Sequence, residues 1–395
     1  MRIQIALLAL LTFSCFPAWA DKDSPSSTFS TLAKTPLPIE GMTGDDRGNL
    51  YVPGRTPGAG LPCPVWRVDS NSPSPALVVV GNLPAPSATG QCSPLGLAFD
   101  RAGKLYVGES DKIYRFFPDA GAPPVASVFA SGVPGANGLA FDRDGNLWTS
   151  DGTTGQGRVW RIDASGAATE VFRIQPMANE VNLDSIGVGG VGRDVRTLGP
   201  GTITVTPLTR LALNALGSQP LVANGLAFDN DGDLIVADTA RGALWKVELD
   251  RAGTVQSDMG CDTTFTANTL CLDNILVAHP LLEGADGIAL DRAGNVWVNA
   301  NERNAVILVT KSGKDVVEVF RNAPDTATKL RNAGPLEFNT SPVLVDRKFC
   351  TANLDANRRD NSPNTAGEIS PGPFQGKISC MDQRLNVPGT ALPVH

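Results

Sequence analysis

Ala223-Asn224-Gly225-Leu226-Ala227-Phe228-Asp229 is the stretch that decides the fold of this chain. The same seven residues recur at 136–142, from Ala136 to Asp142. Shorter copies are Leu95-Gly96-Leu97-Ala98-Phe99-Asp100 and Asp286-Gly287-Ile288-Ala289-Leu290-Asp291. Weaker ones are Glu40-Gly41-Met42-Thr43-Gly44-Asp45 and Pro342-Val343-Leu344-Val345-Asp346. Each runs into a polar turn and a second apolar stretch. Arg143-Asp144-Gly145-Asn146 leads into Leu147-Trp148-Thr149-Ser150-Asp151, and Asn230-Asp231-Gly232-Asp233 into Leu234-Ile235-Val236-Ala237-Asp238. A short β run, a turn with Asp and Gly, and a second β run make a hairpin. Hairpins repeating along one chain make a repeat architecture.

The motif glycines Gly41, Gly96, Gly138, Gly225 and Gly287, with Val343 taken in the glycine's place in the last copy, fall mostly at the period of a propeller blade, about 40–60 residues with loops. The step from Gly138 to Gly225 is too long. It is read as an insertion at 175–218, because 182–218 holds no copy of the motif. The expected fold is all-β: a six-bladed β-propeller of four-stranded antiparallel blades, forming one domain over 21–395. Residues 28–34 can form a strand. They are expected to close the ring as the outer strand of blade six, beside Lys377-Ile378-Ser379-Cys380-Met381-Asp382. Phe99, Phe141, Phe228, Trp148, Trp160, Trp245 and Trp297 read as packing between blades.

Residues 1–20 read as a signal peptide. Arg2 precedes an apolar run at 5–13, and Ala18-Trp19-Ala20 is a small-x-small cleavage signal. The run is too short to span a bilayer, so export to a periplasm or to the outside, with cleavage near Ala20 and no membrane anchor left, is expected. Beyond Cys15 in the leader stand Cys63, Cys92, Cys261, Cys271, Cys350 and Cys380. An even set in an exported chain points to disulfides. Cys63–Cys92, Cys261–Cys271 and Cys350–Cys380 would each close a loop within one repeat, although spacing alone does not fix the connectivity. No Cys-x-x-Cys occurs and histidine is nearly absent, which argues against a structural metal site. With 33 Lys and Arg against 40 Asp and Glu, the chain is modestly acidic and has no basic cluster, so no nucleic-acid partner is implied. Gly187-Val188-Gly189-Gly190-Val191-Gly192 lacks the Lys-Ser/Thr ending of a phosphate loop. Asn339-Thr340-Ser341 is a glycosylation sequon.

The residues before the motif glycine are Glu40, Leu95, Asn137, Asn224, Asp286 and, in the last copy, Pro342. Inner strands of a propeller stand around one axis, so these positions converge on one end of its channel. Converging carboxylate and amide oxygens, without Cys or His, suit a hard divalent cation, calcium above all. The competing reading is local: Asn or Asp before Gly also bonds to its own turn. A second ring, at the ends of the second strands, holds Arg55, Glu109, Asp151, Asp238, Asn299 and Asn353. Asp151, Asp238 and Asn299, with Asn137, are the candidate substrate-binding residues. Asp151 and Asp238 could equally cap the turns that follow them. The only histidines are His279 and His395, and there is no nucleophile elbow, P-loop or dinucleotide fingerprint.

These motifs resemble the six-bladed propellers of the regucalcin (senescence marker protein), gluconolactonase and lactonase family, over about 28–390 apart from the insertion. The resemblance implies metal ligands at Glu40, Asn224 and Asp286, with Asn137 contacting metal or substrate. It implies hydrolysis of sugar lactones or related esters, with a divalent cation polarising the carbonyl and Asp286 as general base. Paraoxonase-like relatives use a histidine pair that this chain lacks. Two other classes stay open. One is a non-catalytic ligand-binding or scaffold propeller with a structural calcium. The other is a streptogramin-lyase-like metal-dependent lyase, for which His279 would have to serve as acid/base. The only partner implied is a small-molecule substrate.

Overall fold

The computed structural model describes residues 28–175, 219, 223–263, 265–356, 358, 360–362, 367–369, 375–382 and 384–390. The expected signal peptide and nearly all of the expected insertion lie outside the described residues. Six four-stranded antiparallel sheets make up the fold. The helical turns among the described residues are three-residue 3-10 turns, and no helix there is long and apolar enough to cross a membrane. Strand β1 (Phe29–Thr35) opens the chain. Blade one is β2 (Thr43–Gly44), β3 (Asn49–Pro53), β4 (Cys63–Asp69) and β5 (Val78–Leu83). Blade two is β6 (Pro94–Phe99), β7 (Leu105–Glu109), β8 (Lys112–Phe116) and β9 (Ser127–Ser131). Blade three is β10 (Ala136–Phe141), β11 (Leu147–Asp151), β12 (Arg158–Ile162) and β13 (Ala168–Arg173). Blade four is β14 (Leu226–Phe228), β15 (Leu234–Asp238), β16 (Ala243–Val247) and β17 (Ile275–Ala278). Blade five is β18 (Ala285–Leu290), β19 (Val296–Ala300), β20 (Ala305–Val309) and β21 (Val316–Arg321). Blade six takes β22 (Asn339–Val345), β23 (Lys348–Asn353) and β24 (Gly376–Met381) from the end of the chain and β1 from its start, with Phe29 opposite Met381. The N-terminal strand closes the ring, as its place before the first motif leads one to expect.

The aspartate that ends each motif builds the hairpin turn. In Asp142, Oδ1 accepts the N–H groups of Asp144 and Asn146 at 3.0 and 2.8 Å, while Oδ2 accepts the indole N–H of Trp148 at 3.0 Å. Asp291 repeats this with Ala293, Asn295 and Trp297. The turn closes on a glycine of positive φ, +81° at Gly103 and +85° at Gly145, a conformation that costs a side chain-bearing residue more than glycine. Blade six departs from this pattern. Asp346 and Arg347 take φ 43° and 64° in a two-residue turn, and Leu344 pairs with Phe349. The pairing slips between Asn339 and Pro342 as it does between Ala136 and Leu139 and between Ala285 and Ile288, so Ser341 stands where the other copies have glycine, and Thr340 is the residue before it. This corrects the alignment that put Val343 and Pro342 there.

Six apolar clusters hold the ring, one between each pair of neighbouring blades. The aromatic residues singled out in the sequence lie in them: Tyr51 meets Phe99 edge-on at 4.9 Å, Tyr106 meets Phe141 at 5.1 Å, and Trp148 meets Phe228 at 5.8 Å. Along the axis the contact is backbone on backbone. A Cβ on Gly41 would lie 1.7 Å from the carbonyl oxygen of Leu95, and one on Gly96 1.9 Å from that of Asn137. On Gly138 it would lie 2.7 Å from Asn224 O, and on Gly225 2.5 Å from Asp286 O. The motif glycine is therefore required for the close approach of one inner strand to the next.

All three local disulfides are present. Cys63–Cys92 ties β4 to the connection before β6, Cys261–Cys271 closes a loop between β16 and β17, and Cys350–Cys380 links directly paired residues of β23 and β24. The sequon asparagine Asn339 is fully buried and donates to Ala305 O at 2.8 Å, so it offers no acceptor on the folded surface.

Three outcomes are expected. Gly96→Ala should lower unfolding stability by about 3 kcal/mol or more, because the obstructing atom is main chain. Gly121→Ala, whose Cβ would meet only Asp119 Oδ1 at 3.4 Å, should change it by less than about 0.5 kcal/mol. Replacing Cys350 and Cys380 together by Ala should cost about 2–4 kcal/mol. Denaturant midpoints read all three variants.

Candidate active site at one end of the channel

The inner strands do not start regularly. Pairing of β6 with β7 slips between Pro94 and Leu97, of β10 with β11 between Ala136 and Leu139, and of β18 with β19 between Ala285 and Ile288. Each slip spans the residue before the motif glycine and the glycine itself. A bulge re-aims the side chain that a regular ladder would turn into the blade interface. In this way one local irregularity, repeated around the ring, presents Asn137 and Asp286 at the channel mouth. Asn224 is placed by Asn224 N–H to Ala237 O at 2.9 Å.

The structure brings Glu40, Asn137, Asn224 and Asp286 into one polar chain. Asn137 Nδ2 donates to Asn224 Oδ1 at 2.9 Å, and Asn224 Nδ2 donates to Thr239 Oγ1 at 3.0 Å. The Asn224 amide also bonds to Asp286, and Asn301 Nδ2 donates to Asp286 Oδ2 at 2.6 Å. Arg55 lies close enough to Asp286 for the two charges to act on each other, and it forms an ion pair with Glu40. Thr340 Oγ1 donates to the Glu40 carbonyl at 2.6 Å, which joins blade six to blade one. Asp286 is 5 % exposed and Asn224 2 %. Burial pushes the Asp286 carboxyl up to about 7, and the bonds from Asn301 and Asn224 and the Arg55 charge hold it back from going further.

Asn137, Asn224, Asp286 and Ser341 line a recess of about 60 Å³ at this mouth. Its floor is apolar. Met42, Leu97, Leu139, Leu226 and Ile288, each the residue after a motif glycine, line both this recess and a cavity of about 1110 Å³ at the other end of the channel. Pro342 completes their row and also lines both. The oxygen donors thus sit on a collar of hydrocarbon.

The second ring is displaced from the row the sequence indicated. Asp151 accepts from Thr154 N–H at 3.0 Å and pairs with Arg158 at 2.8 Å. Asp238 accepts from the Arg241 N–H at 3.0 Å, from its guanidinium at 2.8 Å and from the Trp245 indole at 3.0 Å. Both are fully buried in the turns that follow them. Asn299 is out of that row. Ala300, opposite Ala285, matches Asp151, opposite Ala136. Asn299 faces blade six instead, donating to Thr340 O at 2.9 Å and Thr351 Oγ1 at 2.6 Å. The side chains that meet the first ring come one residue later in the chain: Arg55, Thr239 and Asn301. Gly152 leaves room for Asn137, whose Nδ2 would lie 2.2 Å from a Cβ there. Sequence reasoning missed Thr239 and Asn301. The signal for them was a polar residue one place after the second β run, in the same blade as a polar residue before the glycine. His279 Nδ1 accepts the Leu281 N–H at 3.2 Å, and His279 does not line the recess.

As a donor set, two carboxylates, two amides and a serine hydroxyl suit a hard cation. Among the described residues no three of His, Cys, Asp and Glu gather as a group that could hold an ion. Amide oxygens would have to complete the shell. The donors fit a divalent ion in kind, and Arg55 shares them.

Residues 177–330 match the family model described as SMP-30/Gluconolactonase/LRE-like region. The curated lactonase drp35 of Staphylococcus haemolyticus is 22 % identical over 281 residues, 66 % of this chain and 78 % of its own length. A luciferin-regenerating enzyme superposes with a TM-score of 0.55 at 14 % identity, covering 93 % of this chain and 98 % of that one. Regucalcin of Agrobacterium tumefaciens, described as a calcium-binding protein, superposes with a TM-score of 0.53 at 15 % identity, covering 92 % and 94 %. At these identities the superpositions speak for the fold alone. The chain is a six-bladed propeller that resembles the regucalcin, gluconolactonase and lactonase family and carries an SMP-30/gluconolactonase/LRE-like region.

Proposed function

We propose that this protein is an exported hydrolase of lactones or related esters that works with a divalent cation, calcium by the hardness of its donors. The observation that carries the reading is the continuous chain Asn137–Asn224–Asp286, whose buried carboxylate has its pKa raised to about 7. Glu40, Asn224 and Asp286 would hold the ion. Bound there, the cation would supply Lewis-acid polarisation of the carbonyl. Asp286 would take the proton of the attacking water. That proton then goes to the ring or alkoxyl oxygen as its bond to the carbonyl carbon breaks. Asn301 and Asn224 keep the Asp286 carboxylate oriented, and the amides of Asn137 and Asn224 would position the carbonyl oxygen. The apolar collar beneath the donors keeps water from approaching through the channel and strengthens their electrostatics. The family region and the similarity to a curated lactonase support the reaction class. The three disulfides support an oxidising compartment, in keeping with the leader sequence.

The test is a panel of five- and six-membered sugar lactones and aryl esters assayed with the mature protein, chelated and then resupplied with calcium, manganese or zinc. Turnover should be lost on chelation and return with the ion. Asp286→Asn should lower kcat by about 10²–10⁴-fold with an unchanged circular dichroism spectrum. Full activity in that variant removes Asp286 from the mechanism. A metal-replete protein that turns over no member of the panel leaves a non-catalytic binding propeller as the reading.

A further inference from the structure

Arg55 is the one cation in the polar chain, and the reaction above gives it no part. It follows Gly54 at the end of β3 and is firmly held. Its N–H donates to Pro38 O at 2.9 Å, and its Nε and Nη2 both reach Ser93 Oγ, at 3.1 and 2.7 Å. Ser93 adjoins Cys92, which the disulfide to Cys63 ties to β4. From this anchored position Nη1 pairs with Glu40, and the guanidinium also feels Asp286. Burial lowers its pKa to about 10, and the charge of Asp286 opposes the shift, so Arg55 stays charged at neutral pH.

Guanidinium donates hydrogen bonds and cannot ligate a metal. A divalent ion and Arg55 therefore compete for the Glu40 carboxylate, and each repels the other. Resting on the reading that Glu40, Asn224 and Asp286 hold such an ion, we propose that Arg55 is a built-in counter-cation of the ring. It occupies Glu40 when the ion is away, yields it when the ion enters, and so sets how tightly the ring holds a metal. Two carboxylates with one fixed cation keep a residual negative charge. That is enough to attract a divalent ion, yet the ring binds it less tightly than it would without Arg55.

The test is calorimetric titration of the chelated mature protein with calcium chloride, with thermal melting in parallel. The variants are Arg55→Gln, Arg55→Met as a second neutral replacement, and Arg55→Lys to keep the charge. Removing one like charge from the ring should tighten calcium binding about tenfold or more in either neutral variant, with a correspondingly larger rise in melting temperature on adding calcium. Arg55→Lys should stay near wild type. Adding Glu40→Gln to Arg55→Gln should abolish the gain. Calcium binding as weak as or weaker than wild type in both neutral variants overturns the competition while leaving the metal reading in place. Folded wild-type and neutral-variant proteins that all fail to bind calcium, manganese or zinc overturn the metal reading, and the role of Arg55 with it.

Discussion

The ring depends on a missing methyl group. At the motif glycines, each inner strand lies against the carbonyl of the next blade more closely than any Cβ would allow, down to 1.7 Å for a Cβ built on Gly41. This seam sets how near the blades stand at the axis. The six interblade clusters, with their buried aromatic and branched side chains, pack only at that spacing. The residue before the glycine is carried on the same local irregularity, so the feature that closes the ring also gathers the oxygen donors. In blades one, three, four and five, architecture and site share one dipeptide.

The site pairs polar and apolar layers in a way that raises the stakes of every charge. Asp286 and Asn224 are almost fully buried and sit on a floor of Met42, Leu97, Leu139, Leu226 and Ile288. A buried carboxylate needs partners. Asp286 has two amides and an arginine nearby, and Glu40 has the same arginine. The cluster is internally satisfied, so any ligand that enters exchanges partners with it rather than filling an unmet need.

Much of this was readable in the residues. The hairpin period, the outer strand at the N-terminus and the convergence of the residues before each glycine follow from spacing and symmetry, whereas the three short-range disulfides were only one of the pairings that the cysteine spacing allowed. What was not readable turns on register. The two-residue turn at Asp346-Arg347 changes the count in blade six by two places, so that Thr340 takes the position first given to Pro342. Along the second strands, Asn299 and Ala300 differ only in which face of the sheet they occupy, and strand periodicity turns a slip of one into the opposite face. That is why Thr239 and Asn301 were passed over. The partnership of Arg55 with Glu40 crosses from the end of one strand to the start of another, and no local pattern encodes it.

The seat of β1 in blade six has a kinetic side. Phe29 pairs with Met381, so the first strand to be made waits for the last before the ring can shut. Such long-range pairing forms slowly, because chain entropy is lost before the contact rewards it. Until then the outer edge of β24 and the apolar side of blade six stay open to other chains. In the interval Cys350 and Cys380, on adjacent strands of the same blade, can already join. A cross-link formed there would hold the unfinished blade in register while its missing strand arrives.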